Sequence, residues 1–252
     1  MNINIEGFNI YYEKYGDGKR NILILPGWGD TRCTFNKMIQ ELQKKYTVYI
    51  LDYPGFGKST FLDKDLTIYD YAKLIKIFIK RIKINNPTII AHSFGVRISI
   101  LLTTIEKVKV RKLIIMDGAG IKRKNNIKTI LKQYCYKFLK KTSIIMPKKI
   151  KEKYLSMLLN IFASRDYKSL SNSMRKTFSY IVNEDLTCYL KNIETETLII
   201  WGENDQDTPL KDGILMNELI KDSGLIIVKN GTHYVYLDAF FYVTKIILEF
   251  IK

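Results

Sequence analysis

Apolar and polar positions along this chain fall into blocks, and the blocks define an order of elements. Residues 2–15 alternate with period two around Glu6-Gly7-Phe8-Asn9, which predicts a hairpin turning there. Short, mostly apolar runs follow at 21–25, 47–51, 87–91 and 110–116. Runs this short, rich in β-branched residues, read as strands buried on both faces. Between them lie stretches of helical spacing at 33–44, 67–82 and 94–105. In the second, Ile68, Tyr71, Ala72, Ile75 and Ile79 share one face. Strand–helix alternation of this kind predicts an α/β protein with a mostly parallel sheet and helices on both faces.

The alternation breaks between 119 and 190. Ile130, Tyr134 and Phe138 recur at helical spacing, as do Ile150, Tyr154, Leu158 and Ile161. Pro147 suits the first turn of the second helix. A third helix is expected over 168–183. Three helices without strands, placed between two sheet strands, read as an inserted cap. The expected division is therefore a core of 1–118 and 191–252 with a helical cap of 119–190. Alternation resumes with a strand at 197–201, a helix near 210–221, a strand at 225–228 and a final helix over 237–251.

Composition narrows the class. With 252 residues, 46% hydrophobic and 12% aromatic, the chain can bury a sizeable core and is not of disordered composition. No apolar run approaches the roughly 18 residues of a membrane span. Residues 1–6 lack the basic start and apolar stretch of a signal peptide. Cys33, Cys135 and Cys188 are odd in number and widely spaced, which suggests free thiols in a reducing compartment. These features together point to the cytoplasm.

The net charge of +16 is unevenly placed. Between 121 and 176, thirteen Lys and three Arg face only Glu152 and Asp166, an excess of +14. Such a run is either a solvated face in a chain rich in Lys, Ile and Asn, or a platform for an acidic partner. No motif for specific nucleic-acid binding accompanies it.

The candidate chemistry centres on Ala91-His92-Ser93-Phe94-Gly95, between a buried strand and a helix. A tight turn there exposes the Ser93 hydroxyl above the sheet, with a helix N-terminus beneath it. A serine needs a base, and the chain has two histidines. His92 is adjacent to Ser93 and its side chain must point away. His233, in Gly231-Thr232-His233, follows the last strand and is the candidate base. Asp205, 28 residues earlier, is the candidate carboxylate that fixes the imidazole tautomer. Asp117, at another strand end, is its rival. Asp207 and Thr208 better suit a helix cap. The backbone N–H groups of Phe94 and Trp28 are candidate oxyanion donors. The Trp28 side chain reads equally as pocket wall or core. No cluster has metal spacing, so neither a metal nor an organic cofactor is expected.

Five segments resemble the α/β-hydrolases of the capped serine-hydrolase type: Leu25-Pro26-Gly27-Trp28-Gly29, residues 52–59, Ala91–Gly95, Gly202-Glu203-Asn204-Asp205 and Gly231-Thr232-His233. The likeness spans essentially the whole chain. It implies the α/β-hydrolase fold with Ser93, Asp205 and His233 as triad. Residues 52–59 correspond to a structural turn of that family, without chemistry of their own. Pro26 stands where the family usually has His, Ala91 where it has Gly, and Val96 where a further Gly is common. Pro26 removes a hydrogen bond that could order the oxyanion loop.

The implied activity is hydrolysis of a carboxylic ester or thioester through an acyl-enzyme. Alternatives are a C–C bond hydrolase or enol-lactonase with the same triad, or a ligand-binding protein that keeps the fold without turnover. Some capped members with a similar Gly-Trp-Gly loop act on esters held by carrier proteins docked on basic caps. An acidic carrier protein or anionic surface is therefore a candidate partner beside a small ester.

Overall fold

A computed structural model describes residues 1–30, 32–61, 64–122, 135–136, 138–143, 146–162, 170 and 172–252. Eight strands form one sheet: β1 (Asn2–Ile5), β2 (Phe8–Tyr15), β3 (Asn21–Leu25), β4 (Thr47–Leu51), β5 (Thr88–His92), β6 (Lys112–Met116), β7 (Thr197–Gly202) and β8 (Ser223–Val228). Their spatial order is β1-β2-β4-β3-β5-β6-β7-β8. Strand β2 pairs antiparallel with both β1 and β4, and every later pairing is parallel. The apolar runs map onto the interior strands because both faces are covered. All five residues of β4 and of β5 are buried.

The helices flank this sheet. Helices α1 (Arg32–Leu42), α2 (Ile68–Arg81) and α3 (Phe94–Thr104) alternate with the strands. Thr67 and Asp70 form a reciprocal cap at the start of α2. Helix α3 is buried from Phe94 through Leu102. One apolar layer holds α2 and α3, and the opposite layer holds Phe35, Met38 and Ile39 of α1.

Between β6 and β7 the described elements are all helical: α4 (Lys148–Phe162), α5 (Asn172–Asn183) and α6 (Thr187–Leu190), with a short turn of helix at 138–142. Of the first helix expected here, Ile130 and Tyr134 lie outside the described residues. So does the start of the third at 168. Pro147 precedes α4, and its carbonyl accepts from Lys151 N–H at 2.9 Å.

The chain closes with α7 (Leu210–Leu219), α8 (Val235–Asp238) and α9 (Phe240–Phe250). The single final helix expected over 237–251 is instead two, parted at Ala239. Asp238 accepts from Thr232 N–H and Oγ at 2.7 Å each, so α8 is tied back to the loop carrying His233. The hairpin turn is also shorter than the sequence suggests. Glu6 (φ 49°) and Gly7 (φ 88°) make it, while Phe8 and Asn9 already belong to β2.

A contact between central elements sets the turn between β5 and α3. A Cβ on Gly95 would lie 2.1 Å from the Leu25 carbonyl oxygen on β3. Gly224, on the edge strand β8, has open space at the same position. Gly95→Ala is expected to destabilise the protein by about 1–3 kcal/mol, the usual cost of overpacking. Gly224→Ala should stay within about 0.5 kcal/mol of the parent. Urea unfolding of the two variants, compared at equal m-values, checks this.

Candidate active site

Ser93 occupies the turn between β5 and α3 at φ 48°, ψ −110°. A non-glycine residue rarely adopts positive φ, and such strain gathers at functional sites. The turn is held from both sides. Ser93 N–H donates to the Met116 carbonyl at 3.1 Å, and its own carbonyl accepts from Val96 and Ala119.

The structure brings Ser93, His233 and Asp205 together. Ser93 Oγ lies 3.0 Å from His233 Nε2, and His233 Nδ1 lies 2.9 Å from Asp205 Oδ2. The consistent proton placement has Nδ1–H donating to Asp205, which leaves the Nε2 lone pair facing the serine hydroxyl. Burial works against a charged His233, but the hydrogen bond to Asp205 and that carboxylate's charge outweigh it. The net result is a pKa above the ordinary histidine value. Burial likewise opposes the Asp205 carboxylate, yet the hydrogen bonds from His233 and Thr208 hold its pKa below the usual range.

Asp205 also organises its own loop. Its Oδ1 accepts from the backbone N–H groups of Asp207 (2.8 Å) and Thr208 (2.9 Å), leaving Oδ2 for the imidazole. The helix-capping role expected of Asp207 and Thr208 is not what the structure shows, because the residue before α7 is Pro209. The Thr208 hydroxyl instead sits 2.7 Å from Asp205 Oδ2 and 3.2 Å from His233 Nδ1. Sequence reasoning missed this contact. Its position three residues after Asp205, where an Asx turn folds back, is the signal that could have found it.

Asp117 is fully buried and serves the backbone. It accepts from Gly202 N–H at 2.8 Å and Val235 N–H at 3.0 Å. It thereby ties the end of β7, from which the Asp205 loop leaves, to the start of α8, just past His233. Burial is the main reason its pKa is pushed up to about 8, against the pull of those two donors. Its carboxyl is thus fixed by main-chain groups, whereas Asp205 holds the imidazole.

Trp28 and Phe94 line the same cavity as Ser93, a space of about 490 Å³. The Trp28 ring meets Phe56, Phe94 and Phe178 edge-on, with centroids 4.7, 5.2 and 5.3 Å away. It therefore serves as both wall and packing. Residues 52–59 support this wall through Phe56, while the Asp52 carboxylate accepts from Lys58 N–H at 2.9 Å. The far side of the cavity is built by Phe178, Val182 and Asn183 of α5. Arg97 and Asp212, both nearly buried, also reach it. None of these five was singled out from sequence, although Phe178 and Val182 are spaced to share a helix face.

Asp205, Asp207 and His233 offer donor atoms within 4.8 Å of one another, which is the one grouping among the described residues that could hold a cation. A cation there would have to replace the proton between His233 Nδ1 and Asp205. No described helix is long and apolar enough to cross a membrane. The three cysteines are unbridged.

The family model for the alpha/beta hydrolase fold matches residues 20–240. The chain belongs to that family, and its class is hydrolase. It is similar to a pimeloyl-[acyl-carrier protein] methyl ester esterase of Wigglesworthia glossinidia brevipalpis, at 27% identity over 96% of this chain and 97% of the relative. It is 25% identical to a 2-hydroxy-6-oxononadienedioate/2-hydroxy-6-oxononatrienedioate hydrolase of Pseudomonas putida, over 96% and 92%. An esterase structure from Exiguobacterium antarcticum shares the fold with TM-score 0.76 at 22% identity, covering 98% of this chain and 97% of that one.

Asp117→Asn replaces one of two acceptors by an amide donor facing a backbone N–H. A loss of about 1–3 kcal/mol is expected, the cost of an unsatisfied buried group. The measurements are the Tm and Ser93 labelling by a fluorophosphonate. The first should fall, and labelling should persist in the folded variant.

Proposed function

We propose that this protein is a serine hydrolase of carboxylic esters that works through an acyl-enzyme. The observation that carries the reading is the hydrogen-bonded line Ser93 Oγ, His233, Asp205, opening into a cavity bounded by Trp28 and Phe94. In this reading His233 Nε2 takes the Ser93 proton as Oγ attacks the carbonyl. The Asp205 carboxylate stabilises the imidazolium that forms. The N–H groups of Trp28 and Phe94 donate to the developing oxyanion, the latter helped by the α3 N-terminus. His233 then returns its proton to the leaving alkoxide. Water, activated by the same nitrogen, frees the acid. Residues 119–190 act as a cap, with α5 closing the acyl pocket. No cofactor enters these steps.

Ser93→Ala should lower kcat for a p-nitrophenyl ester by several orders of magnitude while the protein stays folded. Turnover near the parent's would sink the mechanism. Asp205→Asn separates the roles further. The neutral base is the active form, so activity rises as pH passes upward through the His233 pKa. Removing the carboxylate that raises that pKa should move the acid limb of kcat/KM to lower pH and also reduce kcat. An unmoved limb would assign the partner role elsewhere.

The substrate we favour is an ester carried on an acidic protein. The support is the +14 excess of 121–176 together with the carrier-protein esterase among the relatives. Exposed Lys149 and Lys153 on α4 belong to that basic segment. The Debye length falls from about 10 Å at 0.1 M salt to about 3 Å at 1 M. So kcat/KM for a carrier-held ester should drop steeply with salt, while a short neutral ester stays nearly flat. Charge reversal at Lys148, Lys149 and Lys151 should erase the difference. Equal salt responses would leave the plain esterase reading, and turnover of a dienol ketone without ester turnover would replace it by C–C bond hydrolysis.

A further inference from the structure

Behind Ser93 lies a second histidine–aspartate contact that the reaction above leaves unused. His92 is 1% exposed, and its ring touches two segments of the site at once. Nε2 lies 2.7 Å from the main-chain oxygen of His233. Nδ1 lies 3.3 Å from Asp30 Oδ2, on the loop that carries Trp28. Phe35, Tyr234, Tyr236 and the His233 ring pack around it, with centroids 5.0–6.5 Å away.

The proton count on this ring is constrained by its neighbours. A carbonyl only accepts, so Nε2 must carry the hydrogen. Nδ1 then faces a carboxylate oxygen 3.3 Å away, and two facing lone pairs repel. Neither Nδ1 nor Asp30 Oδ2 has a hydrogen-bond partner among the described residues. A single proton between them satisfies both, whichever atom owns it. Asp30 N–H also donates to the Gly27 carbonyl at 3.2 Å, closing the turn around Trp28. A Cβ at Gly27 would sit 2.6 Å from Asp30 Oδ2 and 2.9 Å from His92 Nδ1, so a glycine is what lets the two meet. Pro26 has no side-chain donor and offers only its carbonyl, to Tyr53 Oη at 3.3 Å.

We propose that Asp30 and His92 are a positioning pair: through one shared proton they fasten the Trp28 loop to the main chain of His233 and so hold the Trp28 N–H over Ser93. The inference rests on the serine-hydrolase reading. His92 is the residue before Ser93, so one ring registers the nucleophile, the base's backbone and the oxyanion loop against each other. Misplacement of a reacting geometry by about 1 Å can cost about 100-fold in rate.

Asp30→Ala and Asp30→Asn test it, assayed with a short neutral ester. Asp30→Ala should lower kcat by about tenfold or more with KM within about twofold, because transition-state stabilisation is lost and ground-state binding is not. Asp30→Asn should recover most of that loss, since its amide N–H can donate to Nδ1 of the ring protonated at Nε2. A second readout does not depend on turnover. The chain has two histidines, so the ¹⁵N spectrum of the histidine-labelled protein is assignable. The His92 Nδ1 resonance should move in Asp30→Ala, with Nε2 still protonated in both variants. Unchanged kcat in Asp30→Ala, equal losses in the two variants, or a His92 resonance indifferent to both would each overturn the proposal. Failure of a fluorophosphonate to label Ser93 in the parent protein removes the reaction that the pair serves and overturns it too. That outcome is distinguished because the resonance shift is still seen.

Discussion

Ser93 is held at positive φ, a conformation that costs an L-residue about 1–3 kcal/mol and persists only where the surroundings enforce it. The enforcement comes from the centre of the sheet. The Leu25 carbonyl on β3 leaves no room for a Cβ at Gly95, and the Met116 carbonyl on β6 receives the Ser93 N–H. Strands β3 and β6 are the two neighbours of β5, so the serine's backbone is fixed by the strands on either side of its own. The parallel sheet places β5's carboxyl end beside the loops leaving β3, β6, β7 and β8. Those loops carry Trp28, Asp117, Asp205 and His233.

The buried carboxylates around this point divide the work by what each oxygen accepts. Asp205 gives one oxygen to its own loop and the other to the imidazole. Asp117 gives both oxygens to backbone N–H groups and keeps the Asp205 and His233 segments in register. The opposite pKa directions follow from how far these partners offset burial. At Asp117 burial outweighs the two backbone donors and raises the pKa, while at Asp205 the hydrogen bonds from His233 and Thr208 outweigh burial and lower it. Asp30 meets the ring of His92, the residue before the serine.

Much of this was legible from sequence because it depends on local pattern. Runs such as Thr88–His92 and Lys112–Met116 have apolar interiors, Ile89–Ala91 and Leu113–Met116, as suits strands buried on both faces. Ser93, His233 and Asp205 stood out because the chain has so few histidines and because each residue follows a strand run. What escaped was tertiary. The three-residue spacing from Asp205 is the one local hint that Thr208 turns its hydroxyl there rather than capping α7. Nothing local says that the last helical stretch breaks at Ala239, where Asp238 is drawn back to Thr232. The contact between Asp30 and His92 joins positions 62 residues apart and has no sequence signature. Phe178 and Val182 carry no local mark beyond their helical spacing, and it is the tertiary fold that brings them to the cavity lined by Ser93.

The central claim is that Ser93 becomes acylated during turnover. The most direct measurement is acid quenching of the enzyme with a p-nitrophenyl ester in the pre-steady state, followed by mass spectrometry of the peptide that contains Ser93. The expected result is a burst of p-nitrophenol matched by a peptide heavier by the acyl group, with the modification on Ser93 and none in Ser93→Ala. Steady hydrolysis with no acyl mass on that peptide, or an adduct on another residue, would contradict it.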